Sequence, residues 1–338
     1  MASYLERIDL PFYRRYLQDF LPEQIIDAHT HVGRMTHVDR TIAPPAFWAD
    51  RICAAMPVES LAKIHATIFP GKTVRPLSFA FPRRNVHLDE ANAYTGEMAR
   101  QRGAWSLLVT KPSWSAEDVR KRVESGGQRG LKPYFYLVDN VPATQVTIFD
   151  CLPHHHLHLA NQYGWLVMLH VPRAGRIADP SNIEQIREIS ASYPRVKLII
   201  AHVGRAYCPR YAIEGLTALR QCTNLYYDIS ANCNQAVFEM LIHEVGPRRI
   251  LFGSDLPIVL LRMRRACEGD NYVNYVRRTR WLDAQTRRDP ANEDSFTFLV
   301  YEEIAAFRRA VEAAGLHRDD IEDVFCRNAL RLLDGGEG

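Results

Sequence analysis

The chain has 338 residues, 47% of them hydrophobic and 24% charged, with a formal net charge of +3. This balance supports a packed core and excludes wholesale disorder, and the small net charge argues against nucleic acid or an anionic membrane as a partner. No apolar run approaches the ~20 residues that span a bilayer. The stretch MASYLERIDLPFYRRYLQDF carries charges throughout and lacks an apolar core, so no secretory signal is expected.

In chain order, strand-like apolar runs recur at Gln24–Ala28, Val74–Phe81, Ala104–Thr110, Leu131–Val138, Trp165–His170, Val196–His202, Asn224–Ile229 and Arg249–Gly253. From the third run onward they start about 25 to 34 residues apart, the length of one βα unit. The segments between them carry helix punctuation. Gly103 ends a helix beginning near Leu88, with Glu97 and Gln101 paired on its outer face. Ser115 with Asp118, and Ser181 with Glu184, read as capping boxes. Asn234 caps a helix through Val245 that Gly246 stops, and the last helices fall at about Phe296–Ala314 and Asp319–Leu333. Near-continuous apolar strands such as Lys197–Ala201 require burial on both faces. Eight such units predict an α/β fold, a (β/α)8 TIM barrel forming one domain over residues 1–338, with a doubly wound open sheet as the alternative. Two insertions interrupt the repeat, roughly Thr36–Lys72 after the first strand and Pro257–Ser295 after the eighth. Both leave the strand ends where barrels build their sites.

The seven cysteines are scattered and form no C-x-x-C pair, so reduced thiols in a cytoplasmic protein are expected rather than a disulfide framework or zinc ribbon. Gly71-Lys72-Thr73 lacks the first glycine of a P-loop. His243-Glu244 lacks the second histidine of a zincin helix. No G-x-S-x-G elbow and no strand-following G-x-G-x-x-G exists.

What remains is a histidine–aspartate constellation. His29 and His31 sit two apart at the end of the first run, so both project from one face. His170 and His202 end the fifth and sixth runs, and Asp255 follows the eighth. A lone histidine after a strand is ordinarily a hydrogen-bonded core or loop residue. Five such residues at equivalent places on four strands instead converge on the C-terminal rim of a barrel, where imidazole and carboxylate suit zinc, manganese, iron or cobalt.

IIDAHTHVG, GWLVMLHVPR, KLIIAHVGRAY, LYYDIS, ILFGSDLPI and VFCRNALRLL, spread over about residues 25 to 333, resemble the amidohydrolase superfamily in its amidohydrolase-related (amidohydrolase-2) branch. That branch includes aminocarboxymuconate-semialdehyde decarboxylase and related decarboxylases, lactonases and hydrolases. The resemblance implies that His29, His31, His170 and Asp255 bind one divalent ion. His202 then serves as an acid/base or orienting group beside it, or as a further ligand. A carbamylated lysine that bridges two ions in many members would have to be Lys132, which the sequence places at the start of its strand, so a single ion is expected.

Arg34, Arg173 and Arg205 each follow a site histidine by three residues and are candidate carboxylate-binding groups on the functional face. His154–His158 reads as an exposed helix start. The arginine-rich stretch 262–288 reads as a solvated surface insertion, with a lid or subunit contact as the alternative. The expected activity is hydrolysis of a small carbonyl compound (an ester, lactone or amide, carboxylate-bearing), in which the metal lowers the pKa of a water toward ~7 and His202 or Asp255 accepts the proton. The alternatives are non-oxidative decarboxylation of an unsaturated or aromatic acid, and a non-catalytic metal-stabilised scaffold. The expected partner is a small-molecule substrate, with a homo-oligomer left open.

Overall fold

The structure is a computed structural model describing residues 3–42, 53–277 and 284–335. Strand β1 (Gln24–Val32) pairs in parallel with β2 (Thr73–Ala80), and β2 with β3 (Trp105–Ser106). A second parallel sheet runs in order through β4 (Leu108–Thr110), β5 (Gly130–Pro133), β6 (Leu166–Leu169), β7 (Lys197–Ile200), β8 (Leu225–Asp228) and β9 (Ile250–Leu251). Backbone hydrogen bonds join the two sheets at both edges. β3 and β4 are one run interrupted at Leu107, whose N–H donates to Ser78 O at 3.0 Å. At the other edge the Ala28 N–H donates to Phe252 O (2.9 Å), Asp255 N–H to His29 O (2.8 Å) and His31 N–H to Leu256 O (2.8 Å). The eight anticipated runs therefore form the eight strands of the barrel.

Residues 166–169 and 198–200 are wholly buried, as parallel strands covered by helices must be. The covering helices include Leu88–Gln101, Ala116–Gly126, Pro209–Leu219, Gln235–Val245 and Leu299–Ala314. The Ser115–Asp118 capping box forms, and Asn234 accepts from the Val237 N–H. The Ser181–Glu184 box does not form. Asp179 accepts the Ser181 N–H at 3.1 Å and Pro180 occupies the first helical position, so the cap lies two residues earlier. The fourth run ends at Pro133 rather than Val138 and continues as a short 3-10 turn, Phe135–Leu137. Lys132 consequently sits near the end of its strand, not at its start.

The first insertion contains the helix Val58–Ile68, and its residues 43–52 lie outside the described residues. The second builds a small sheet. β10 (Met263–Glu268) and β11 (Asn271–Val276) form a hairpin turning at Gly269, and β12 (Thr286–Arg288) lies parallel to β11. Gly269 has φ +61°, which the tight hairpin turn requires.

This insertion is not simply a solvated surface. Arg262 forks onto buried Asp9 at 2.9 and 2.6 Å, Arg288 onto Glu293 at 2.7 and 2.6 Å, and Arg265 is buried. Arg278, Arg280 and Asp283 lie outside the described residues. Nor are all cysteines free. Cys208 and Cys267 form a disulfide with their Cα atoms 6.0 Å apart, because the hairpin folds back over the segment that follows β7. The histidine run is likewise only partly exposed. His156 is fully buried and reaches Trp114 O at 2.8 Å, and His154 reaches the Tyr193 hydroxyl at 2.7 Å. Among the described residues no helix is long and apolar enough to cross a membrane.

Candidate metal centre

His29 and His31 project from the same face of β1 into the mouth of the barrel. Asp255, just past β9, meets them there: its Oδ1 is 3.6 Å from His29 Nε2 and 3.2 Å from His31 Nε2. The approach depends on the chain around it. Ser254 is fixed by Asp27, which accepts its N–H at 2.8 Å and its hydroxyl at 2.6 Å. A Cβ at Gly253 would lie 2.7 Å from His29 Cβ, so only glycine lets this strand pass the first ligand. Asp255 itself adopts φ +60°, a left-handed conformation that an aspartate accepts at a cost.

Beneath this cluster Asp228, the last residue of β8, accepts four hydrogen bonds. They come from His29 Nδ1 (2.9 Å), the His202 N–H (2.9 Å), the Ser230 N–H (3.1 Å) and the Ser230 hydroxyl. Burial opposes ionisation of Asp228, but His29 and these donors outweigh it and hold the carboxyl below its ordinary range. Burial pushes His29 down to about 3, so its imidazole is neutral at neutral pH. Its Nδ1–H then donates to Asp228, and the Nε2 lone pair is left on the side of Asp255 and His31.

His202 is held by Ser230 on the other side, its Nδ1 lying 3.1 Å from Ser230 O and 2.8 Å from Ser230 Oγ. Burial lowers its pKa, against the pull of Asp255 and Asp228. It begins a left-handed turn, His202–Arg205, in which all four residues have φ between 50° and 63°. His170 packs edge-on against His202, ring centroids 5.2 Å apart, and its buried Nδ1 has no hydrogen-bond partner. Lys132 is 0% exposed beneath the same cluster, its Nζ 4.7 Å from the Phe79 ring centre and without a hydrogen bond. Burial pushes its pKa down to about 8, against the attraction of Asp228 and Asp255.

The five sequence-selected metal-site residues thus line one cavity of about 280 Å³. The arginines divide. Arg205 lines the cavity. Arg34 instead stacks on Tyr94, 4.5 Å from the ring centre, and Arg173 pairs with Asp179 at 3.0 Å. Sequence reasoning missed Arg176, Arg265 and Tyr272, which complete the wall, and it assigned no role to Asp228. Asp228 was findable, because it ends its strand as His170 and His202 end theirs. Arg265 reaches the cavity only through the hairpin, which no local spacing announces. A buried glutamate, Glu303, supports the wall by accepting the Ala231 N–H at 2.7 Å, and burial raises its pKa well above the carboxyl range.

The donors suit a divalent ion. His29, His31 and Asp255 each offer one ligand atom, all within 4.8 Å of one another. Ligands ~2.0–2.2 Å from a shared tetrahedral ion stand ~3.3 Å apart, close to the spacings that Asp255 makes with both imidazoles. His170 lines the same cavity, and its buried Nδ1 is an orphaned polar atom that needs a partner.

Comparison with known proteins agrees with this architecture. Curated proteins give no match to the sequence. Among solved structures, an amidohydrolase from Burkholderia multivorans with bound HEPES is 13% identical, with 92% of this chain and 99% of that chain covered and a TM-score of 0.59. A probable 2-pyrone-4,6-dicarboxylic acid hydrolase from Acinetobacter baumannii with bound citric acid is 16% identical (92% and 99% covered, TM-score 0.57). The 2,6-dihydroxybenzoate decarboxylase complexed with 2,6-dihydroxybenzoate is 13% identical (93% and 100% covered, TM-score 0.58). At such identities the likeness is one of fold. The Amidohydro_2 family model, described as amidohydrolase, matches residues 26–335, nearly the whole barrel and every residue of the cluster, and the chain belongs to that family.

Proposed function

We propose that this amidohydrolase is a metal-dependent hydrolase of a small, carboxylate-bearing ester, lactone or amide, using one divalent ion held by His29, His31, His170 and Asp255. Zinc suits the imidazole-rich donor set, with manganese, iron and cobalt as alternatives. The carrying observation is that His29 Nε2, His31 Nε2 and Asp255 Oδ1 converge in the same open cavity that His202 lines. An ion bound there supplies Lewis-acid polarisation of the carbonyl and an activated water.

The chain's own groups do the rest. With Nδ1 donating to Ser230, His202 presents Nε2 as the proton acceptor, and its lowered pKa keeps it unprotonated at neutral pH. The same nitrogen returns the proton to the leaving atom. Asp255, kept ionised despite burial chiefly by its hydrogen bond with His31, shares in accepting and orienting that proton. Arg205 anchors the substrate carboxylate: its Nη1 donates to Val171 O and Arg173 O at 3.1 and 3.2 Å, which fixes the side chain in the cavity wall.

A second reading is non-oxidative decarboxylation, in which a protonated group delivers a proton to carbon as CO₂ departs. It is favoured by the aromatic run Tyr134-Phe135-Tyr136, which lines the same cavity and suits a flat unsaturated or aromatic acid. A panel of lactones, esters and carboxylic acids separates the two. Incorporation of labelled water oxygen without CO₂ release is expected for hydrolysis. CO₂ release without oxygen incorporation would transfer the function to the second reading.

A further inference from the structure

The wall opposite the ligands holds more positive charge than a single carboxylate can use. Arg176, from the segment after β6, and Arg265, from β10 of the hairpin, both lie over the same pair of tyrosines. Arg176 is 5.5 Å from the Tyr207 ring centre and 5.1 Å from that of Tyr272, and Arg265 is 4.5 and 4.8 Å from them. The two rings meet edge to face at 4.9 Å. Arg176 is 7% exposed and Arg265 9%. Among the described residues no ion pair joins either of them, or Arg205, to a carboxylate. Burial disfavours the charged form of Arg176, and the Arg205 guanidinium disfavours it further.

Each guanidinium carries five N–H donors. Arg176 uses one, to Arg205 O at 3.3 Å. Arg265 uses two, to Asn274 Oδ1 at 2.8 Å and to Ala231 O. Both side chains line the cavity at the barrel mouth. Ring faces offset part of the cost of burying a cation, but neighbouring buried guanidiniums with no carboxylate at ion-pair distance are unfavourable. The arrangement has the chemistry of an anion site. It is also assembled on purpose-built backbone: Arg176, Ala231 and the Arg205 turn all have positive φ, and the Cys208–Cys267 disulfide ties the residue after Tyr207 to β10, two residues from Arg265.

We propose that the substrate carries two anionic groups, one near the reacting carbonyl at Arg205 and a second, distal carboxylate held between Arg176 and Arg265. This rests on the barrel mouth being the reacting site. Arg265 is the specificity-determining residue, because it comes from the hairpin that the long connection after β9 adds to the barrel mouth.

The test measures binding without turnover. Straight-chain dicarboxylates from malonate to adipate, and the monocarboxylates of matching length, are titrated into the metal-loaded protein by calorimetry. At least one dicarboxylate is expected to bind tenfold or more tighter than its matching monocarboxylate. In Arg265→Met and Arg176→Met that preference is expected to vanish, the dicarboxylate losing roughly tenfold to a hundredfold while the monocarboxylate is unchanged. Arg265→Lys, which keeps the charge, is expected to retain part of the preference and guards against a merely misfolded wall. A wild type with no dicarboxylate preference, or equal losses for mono- and dicarboxylates in both Met variants, overturns the proposal. Failure of the metal reading shows separately, as a protein that cannot be loaded and still prefers dicarboxylates.

Discussion

Of two cavities of nearly equal size, among those formed by the described residues, only one is equipped for chemistry. The cavity at the barrel mouth has a volume of about 280 Å³. The other, on the flank between helices Val58–Ile68 and Leu88–Gln101, has about 270 Å³. The flank cavity is walled by Leu61, Ala62, Ala66, Val74 and Met98, and its cations are already engaged. Lys72 Nζ donates to Leu21 O at 2.8 Å, Arg75 lies 4.7 Å over Trp105, and Arg102 is 3.5 Å from Glu59. The mouth cavity gathers four imidazoles, a carboxylate and three arginines without carboxylate partners. Backbone strain divides the same way. Arg173, Arg176, His202, Val203, Arg205, Ala231 and Asp255 all have positive φ and all follow the C-terminal ends of barrel strands, while no such residue lines the flank. A non-glycine residue held there costs about 1–3 kcal/mol. Volume does not mark the site; convergent titratable groups on strained backbone do.

The contrast breaks most visibly at the ligands. His29→Ala is expected to lower metal content from about one ion per chain to near zero by elemental analysis and to abolish turnover, since His29 is both ligand and Asp228 partner. His202→Gln is expected to keep the ion and lose ~10²–10⁴ in rate, the usual contribution of an acid–base group; loss of metal as complete as in His29→Ala would make His202 a ligand.

Gly253→Ala pushes a methyl into His29. It is expected to destabilise the fold by about 1–3 kcal/mol in denaturant unfolding and to weaken metal retention; a variant as stable and as well loaded as the wild type would show that β9 can shift.

Glu303→Gln probes the buried carboxyl behind Ala231. Because folding raises its pKa, the stability it contributes is fully present below the ordinary value of 4.5 and is lost as pH rises toward the folded value. Glutamine does not titrate, so the variant should gain on the wild type progressively as pH is raised above 4.5. A pH-independent difference would place the proton elsewhere. The smallest effect belongs to the flank. Ala66→Leu, on an exposed position of its wall, is expected to leave metal and turnover unchanged and stability within about 0.5 kcal/mol.

The barrel was legible because its signals are local. Each strand is a short apolar run, most intervals are one βα unit, and the candidate ligands stand at or just past the ends of their runs. His29 and His31 were readable together because strand periodicity alone puts them on one face. What escaped depends on long-range folding. Cys208 and Cys267 are 59 residues apart and meet only when the hairpin closes over the mouth. The same closure brings in Arg265 and Tyr272. Arg34 and Arg173 share the spacing of Arg205 but not its surroundings, since Tyr94 and Asp179 capture them first. Lys132 looked like a strand start because its apolar run continues to Val138, whereas the ladder stops at Pro133.

The closure of the barrel carries a consequence for its durability. β1 and the segment after β9 are the first and last strands of the cylinder, and their backbones meet through Asp255 N–H to His29 O. The side chains of the same two residues point at the same ion position, so an ion there clasps the seam between chain segments 226 residues apart. Springing the barrel at that seam and letting the ion go become one event. At a free ion concentration a hundredfold above its dissociation constant, the clasp adds ~2.7 kcal/mol against that opening. With the proposed ion bound, the equilibrium stability of the folded cylinder would depend on metal supply as well as on its core.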